Sequence, residues 1–505
     1  MGPILDLQRP SVTFILLSLA LASIYWLRLL FRRPLFPKGS PVLVDEYPVV
    51  GAWSFFSRRI DFWRHGTAQS KTGRFSFYVG KLPVVSVSGV EGRKTFFESK
   101  ELSFSEGYAV LFGNAPRFSV KNEDGVETSG VEGGFDTYFN RRITRLMKKG
   151  RFVRNLHLLV NDTRQALSQL AKAESNILDP FDDIYRIVYR LTVRTVACND
   201  IADNPDLLSR SLKAFETIDA STTPSTVIFP WLPTPASVKR MVAGARLYRM
   251  VQNIVEARKS AGVRGEDALQ FLVDQGDSIA QIISFVIGSL YAGVLNTGIN
   301  AAWILVYLST DSHWMDVVRQ EVDAAIDKHR TNSAQSKGDI LTSFALGDWE
   351  TEFPNIDLCL RESIRFHLTG TAFRRNVSGK DMILGKEIIP KDAYLVYAVD
   401  DIHFDPEIYT DPQTWDPSRY LPHRAEDKKV QNGYLGWGTG RHPCHGMRFA
   451  KLETFIIIAF FVATFDFQLV DEQGYPKMAW PETDRNEHAA HKPRTPVRLK
   501  YTLKD

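Results

Sequence analysis

The sequence predicts a mainly α-helical body with a small β component, preceded by one N-terminal helix long enough to cross a membrane. Three observations carry this. Apolar residues recur at helical spacing through most of residues 137–328 and again near the C-terminus. Strand-like alternation is confined to two short regions, residues 75–88 and 380–399. An apolar run at the start of the chain stands apart from the body and stops at Arg32-Arg33-Pro34.

The N-terminal element comes first. Ser11 to Leu27 contains no charged residue, and Leu29-Leu30-Phe31 extends the run past a single Arg28. With Arg28 reaching toward the headgroups, this is enough helix for a hydrocarbon layer of roughly 30 Å. The basic residues follow the span, which places the body in the cytosol. Two other readings stand beside it: a signal peptide cleaved near Ala20-Leu21-Ala22, and a buried globular helix. The expected organisation is an anchor at 1–33 and a body at 34–505, with "RPLFPKGSP" (33–41) as the hinge between them.

Within the body, "FSFYVGKLPVVSVS" (75–88) reads as a hairpin broken at Gly80, and "NEDGVETSGVEGG" (122–134) as a polar loop. Helical patterns cover 137–172, 181–200, 238–258, 279–308, 314–328 and 448–465. Pro224–Pro235, "PSTVIFPWLPTP", reads as an apolar proline-rich loop. The 505 residues carry 44% hydrophobic and 24% charged side chains with a net charge of +4 and no basic block, which gives no case for nucleic acid. Three widely spaced cysteines exclude a disulfide framework.

One of those cysteines, Cys444, lies in "GWGTGRHPCHG" (436–446). A thiolate bound to iron needs a partly desolvated, electropositive setting with backbone N–H groups aimed at sulfur. Glycines at 438, 440 and 446 allow tight turns and close approach to a flat group, and the helix that follows adds its N-terminal dipole. Taken alone, the stretch also fits a buried cysteine in a glycine turn. A zinc site built from His442, Cys444 and His445 is disfavoured, because neighbouring residues cannot easily supply tetrahedral ligands and no second ligand pair has zinc spacing.

Trp437–Gly446 resembles the haem-binding loop of the cytochrome P450 monooxygenases, with an aromatic residue first, glycine fourth, a basic residue sixth, cysteine eighth and glycine tenth. His442 at the sixth place is similar to the class that holds sterol 14-demethylases, cholesterol 7-hydroxylases and prostacyclin synthase. The other family motifs follow in order. Glu362-x-x-Arg365 in "RESIR" can pair across one helical turn, and Arg419 in "WDPSRY" completes the resemblance to a Glu–Arg–Arg network. The resemblance implies the cytochrome P450 fold, a helical haem domain with minor β-sheets. It also implies haem b (iron protoporphyrin IX) with Cys444 as the axial iron ligand.

For the haem propionates the resemblance offers Arg374 and Arg375 in "TAFRRNV", which point opposite ways on a strand, together with His442. The family's early Trp-x-x-x-Arg is not found; Arg141, Arg142 and Arg145 are the local substitutes. On the oxygen side, Ala292-Gly293 matches the small pair over the iron. The usual acid and threonine are replaced by Leu295 and Asn296, with Thr297 one place later. Asn296 can hydrogen-bond but cannot titrate, so Gly293, Asn296 and Thr297 are the candidate catalytic positions and proton delivery should be water-borne. Tyr108, Phe112 and Tyr291 are candidate substrate-wall residues, or ordinary core packing.

The function implied is hydroxylation or further oxidation of a lipophilic small molecule. Its wording is most similar to filamentous-fungal members acting on terpenoid or steroid-like secondary metabolites. Dioxygen and electrons from NADPH, delivered by NADPH-cytochrome P450 reductase, would drive it at a single-pass endoplasmic-reticulum membrane anchor. Phe229, Trp231 and Leu232 would dip into the membrane surface. The departure at Leu295 and Asn296 keeps a haem-thiolate isomerase or dehydratase, working without external electrons, as the alternative, and a non-catalytic haem- or gas-binding protein as a remote third.

Overall fold

The computed structural model describes residues 16–23, 25, 32–111, 120–121, 127–128, 136–368, 370–486 and 492–504. Its centre is one helix, Ile279–Leu308, opened by a capping box in which Ser278 and Gln281 satisfy each other's backbone N–H groups. From Thr297 to Leu308 every residue of this helix is buried. A helix apolar on all sides must be covered on all sides. Pro180–Val196, Pro354–His367 and Met447–Thr464 pack against it. Trp303 stacks on His367 with ring centres 4.0 Å apart, and the Tyr307 hydroxyl meets His367 Nε2 at 2.7 Å, which locks two of these helices together.

Among the described residues, Ile279–Leu308 is also the one helix long and apolar enough to cross a membrane, and its burial identifies it as the core of the body. Most of the sequence-predicted anchor lies outside the described residues. Residues 16–23 are helical, and Leu16, Leu17, Leu19 and Leu21 are exposed.

The β component is a six-stranded sheet in the order Val42–Leu43, Phe75–Val79, Leu82–Val87, Tyr394–Ala398, Thr371–Asn376, Leu102–Ser103. The hairpin over residues 75–88 is present, pairing Phe75 with Ser86. A second sheet of Phe465–Val470, Arg498–Leu503 and Ile177–Leu178 closes the C-terminus against the helices. The helical pattern over 137–172 forms as two helices, Thr137–Leu146 and Lys149–Ala171, that over 181–200 as Pro180–Val196 and the short Asn199–Asp203, and those over 238–258 and 314–328 as Pro235–Ala261 and Ser312–His329. One expectation changes, and one helix is new. Pro224 opens the short helix Pro224–Ile228 instead of a loop, since proline suits the first helical turn. Pro205–Ala220 is a full helix capped by Asn204, whose Oδ1 accepts from the N–H groups of Asp206 and Leu207. The polar loop at 122–134 lies outside the described residues except for Glu127–Thr128, which pairs with Val120–Lys121.

Helix Pro354–His367 carries the Glu362-x-x-Arg365 pair, and its start is held from outside. Glu321, on helix Ser312–His329, accepts from the N–H of Asn355 at 2.6 Å and of Ile356 at 3.0 Å. Burial pushes the Glu321 carboxyl up to about 7 from its ordinary value of 4.5, against the lowering effect of those two bonds. A carboxyl whose pKa is raised by folding contributes stability that is complete below its unfolded pKa and is lost as pH rises through the folded one. Glu321→Gln keeps the accepting oxygen and removes the titration. Its melting temperature relative to the unaltered chain should therefore rise between about pH 4.5 and about pH 7, by the equivalent of about 3 kcal/mol, as read by thermal denaturation across that window.

Candidate functional site

The cysteine loop is a hairpin clamped from one side and open on the other. Gly438–Thr439 pairs with His442–Pro443, Gly438 opposite Pro443 and Thr439 opposite His442. The turn between them includes Gly440 at φ +61°, where a Cβ would meet the Phe97 carbonyl oxygen at 2.3 Å. That carbonyl accepts from Arg441 N at 3.1 Å, so the turn is pinned to helix Gly89–Glu98 and only glycine fits at 440. Cys444 N donates to Trp437 O at 2.8 Å. The Cys444 thiol is exposed, three residues before the deeply buried helix Met447–Thr464. Burial of its surroundings raises its pKa, while the N–H groups of Gly446 and Met447 pull it down. A Cβ on Gly446 would meet nothing within 4 Å.

Beside this loop lies a buried cation without a carboxylate partner among the described residues. Arg374 is 3% exposed on strand Thr371–Asn376, and among the described residues its guanidinium reaches the Phe373 carbonyl and the faces of Phe96, Phe97 and Phe104, with Tyr108 close by. Desolvation lowers its pKa to about 10. His442 stacks on Phe104 at 5.2 Å, and burial, then Arg374, Arg441 and His445, push it down to about 4. Arg375 points the other way and pairs with Glu106 and Asp392, each at 3.3 Å. Of the early-helix candidates, Arg142 is held by Asp277 at 2.6 Å and Arg145 donates to Gln275 at 2.8 Å. His445 has a neighbour that sequence reasoning did not supply: it lies close enough to Asp136 to lower that carboxyl, although burial has the larger and opposite effect.

The central helix runs unbroken past Ala292 and Asn296, which are exposed although most of the helix is buried. Asn296 Nδ2 lies 3.4 Å from the Ala292 carbonyl. Gly293 backs onto Thr192, where a Cβ would meet Cγ2 at 3.3 Å. Thr297 is 5% exposed and lies close enough to Glu453 to act on its carboxyl, so it faces into the body while Asn296 is exposed.

The three network residues come together. Arg365 grips Glu362 with two bonds of 2.7 and 2.8 Å, and Arg419 reaches the same carboxylate at 3.1 Å, with all three side chains essentially inaccessible. Sequence reasoning missed two further members. The Tyr420 hydroxyl donates to Glu362 at 2.9 Å, and Glu426 accepts from Arg419 at 3.1 Å. Tyr420 lies inside the quoted "WDPSRY"; Glu426 has no local signal. Tyr108 stacks on Phe104 at 4.4 Å and meets Phe373 edge-on at 5.1 Å, and Tyr291 packs on Phe215 at 5.2 Å. Phe112 lies outside the described residues.

A cysteine exposed at the loop with two backbone N–H groups near its sulfur, open space over Gly446 and a buried guanidinium with no carboxylate partner among the described residues form a donor set that fits a flat, iron-bearing group with acidic side arms. Comparison with known proteins agrees. The family model described as Cytochrome P450 matches residues 41–485, and the chain belongs to that family. It is 34% identical over 473 residues to the cytochrome P450 monooxygenase AacuE of Aspergillus aculeatus, covering 92% of this chain and 93% of the relative. It is 32% identical over 483 residues to the monooxygenase dmxR5 of a Cryptosporiopsis species, covering 94% and 92%. The obtusifoliol 14-alpha demethylase of Sorghum bicolor is 26% identical over 487 residues, covering 92% of each. The chain is thus an enzyme of the cytochrome P450 monooxygenase kind, a family that implies haem.

Strand Thr371–Asn376 is aimed by helix Phe104–Leu111, which crosses it at Gly107. A Cβ there would fall 2.6 Å from Arg374 N and Cα. Gly107→Ala must push helix and strand apart, at a cost of about 1–3 kcal/mol. Thermal denaturation should show the loss, together with reduced haem content on purification.

Proposed function

We propose that this chain is a membrane-anchored haem-thiolate monooxygenase of fungal secondary metabolism that oxidises a lipophilic terpenoid or steroid-like molecule. The observation that carries the reading is the pairing of Cys444, an exposed thiol with two converging N–H groups, with Arg374, a buried cation in want of an anion. Haem bound there supplies the activation of dioxygen. The chain's part is positional. Cys444 would hold the iron through its thiolate, and the Gly446 and Met447 N–H groups would spread the charge of that sulfur. Arg374 takes a propionate, since a guanidinium fork matches a carboxylate, and neutral His442 stands beside it as the second contact. Arg375 is spent on Glu106 and Asp392 and serves the sheet edge. Ala292 and Asn296 are the exposed residues of the central helix on the oxygen side, and Gly293 lets that helix lie close to Thr192.

The fungal relatives support the metabolic setting, and the obtusifoliol 14-alpha demethylase activity named for the sorghum relative supports a lipophilic substrate. The exposed Trp231, Leu232, Met241 and Val242, with the uncharged run at 11–27, support docking at a membrane such as the endoplasmic reticulum, where an NADPH-dependent reductase supplies electrons. Asn296, a non-titrating side chain at an exposed place, favours one second reading: isomerisation or dehydration of an oxygenated lipid without external electrons. Turnover in the absence of NADPH would select it; substrate-dependent NADPH oxidation with reductase selects the monooxygenase.

The reduced, CO-bound absorption spectrum of the purified chain should show the red-shifted Soret band of thiolate-ligated haem. Cys444→Ala should abolish the band. Arg374→Leu should keep the band position but release haem to a scavenging apoprotein about tenfold faster or more, the loss of one charge-assisted hydrogen bond.

A further inference from the structure

Helix Ser312–His329 ends on a histidine that faces the short helix Leu346–Thr351. Asp348 lies in the first turn of that helix and Glu352 caps its end, so the two carboxylates, four residues apart, share one face. His329 Nε2 lies 3.8 Å from Asp348 Oδ1 and 3.8 Å from Glu352 Oε1. At that separation neither contact is a hydrogen bond. The ring nitrogen is buried and has no hydrogen-bond partner among the described residues, which in a folded protein points to a bound water or ion. Among the described residues, this is also the one group of three histidine, cysteine or acidic side chains whose ligand atoms gather within 4.8 Å of one another.

The set is braced by its neighbours. Asp348 Oδ2 accepts from Ala345 N at 2.8 Å, which leaves Oδ1 for the histidine. Glu352 N donates to the Asp348 carbonyl at 2.9 Å. The His329 ring packs on Phe344 with centres 4.5 Å apart. Lys328 Nζ contacts the same Glu352 Oε1 that faces the ring, but its side chain is 63% exposed. An ammonium this exposed leaves a carboxylate at little cost. Ligand atoms about 2.0 Å from a tetrahedral zinc ion lie about 3.3 Å apart, so closure by roughly half an ångström brings this set to zinc geometry.

We propose that His329, Asp348 and Glu352 form a zinc site, with water completing the coordination and Lys328 displaced to solvent. One imidazole and two carboxylates suit zinc, whereas magnesium and calcium prefer oxygen ligands alone. The position gives the site a consequence. Glu350, on the same short helix, accepts from Arg448 with both oxygens, and Arg448 is four residues beyond Cys444. Trp349 stacks on Phe460 of helix Met447–Thr464 at 6.1 Å. Zinc thus pins helix Leu346–Thr351 to helix Ser312–His329 and, through Glu350 and Trp349, braces the helix that follows the cysteine. Because it binds the folded chain and not the unfolded one, it stabilises the fold.

Equilibrium dialysis of the full-length, haem-loaded chain against zinc, followed by elemental analysis, tests this. The unaltered chain should retain one zinc ion beside its iron, and equimolar magnesium should not displace it. His329→Ala and Asp348→Asn should each weaken zinc binding about a hundredfold or more, since losing even an outer partner of a ligand costs about 10–100-fold. Lys328→Gln, which removes the competing ammonium, should tighten it about two- to fivefold. Zinc should raise the melting temperature of the unaltered chain and leave that of His329→Ala unmoved. X-ray absorption at the zinc edge on the unaltered chain should show nitrogen and oxygen at about 2.0 Å, and decides the matter if the variants do not fold. Failure to retain zinc, retention unchanged in His329→Ala and Asp348→Asn, or weaker binding in Lys328→Gln would overturn the proposal. So would a sulfur ligand at about 2.3 Å, which would put the ion on a cysteine. These readouts use no haem chemistry, so a missing CO-bound Soret band would count against the haem-thiolate reading alone.

Discussion

The structure turns on one carboxylate. Glu362 is fully buried and ionised chemistry surrounds it: Arg365 grips it with two bonds, Arg419 with a third, Tyr420 with its hydroxyl and Asp416 with its backbone N–H. Taking such charges out of water costs several kcal/mol each, and only this dense pairing offsets it. The arginines have capacity left over, and they use it on backbone. Arg365 donates to the carbonyls of His403 and Pro412, and Arg419 to those of Thr410, Asp411 and Thr414. Residues 403–420 have little regular structure of their own, so these side chains do the work that ladder hydrogen bonds do elsewhere.

That ordering reaches the cysteine loop by identifiable steps. His403 Nε2 accepts from Leu435 N at 2.9 Å, the Tyr409 hydroxyl donates to Gly433 O at 2.7 Å, and the Tyr434 hydroxyl donates to Arg361 O at 3.0 Å. Gly436 and Trp437 follow directly. From there the loop is pinned on its far side by Phe97 O, beneath the same aromatic cluster that surrounds Arg374. Helix Pro354–His367 therefore sets the near end of the loop and helix Gly89–Glu98 the far end, while the buried helix Met447–Thr464 fixes the position of Cys444 between them.

Much of this was legible in the sequence, for reasons that differ by element. The central helix is legible over 279–308 because an uncharged apolar run of that length leaves few other solutions, and the cap made by Ser278 and Gln281 is seen only in the structure. The Glu362, Arg365 and Arg419 network was legible through its motifs and their order. Arg374 and Arg375 could not be separated beforehand: alternation says that they face opposite ways, and only the packing of Phe96, Phe97 and Phe104 says which way is in. Glu453 was passed over, because one glutamate in a helical stretch reads as a solvated surface residue until Thr192 and Thr297 are seen to enclose it. Pro224 reads in the sequence as a loop signal, yet it opens a helix, a position at which proline's missing N–H costs nothing.

The central claim is that the Glu362 carboxylate, through its arginines, holds the backbone that presents Cys444. A double-mutant cycle of Glu362→Gln and Arg419→Met, read by the CO-bound Soret band and by thermal denaturation, tests it most directly. Glu362→Gln strands the buried Arg365 guanidinium and should cost about 3–5 kcal/mol with loss of the thiolate-type band. Arg419→Met removes one of the carboxylate's two cations and should cost less, and the double change should cost less than the sum of the two. Additive losses, or a Glu362→Gln chain that keeps both its melting temperature and the shifted band, would contradict the claim.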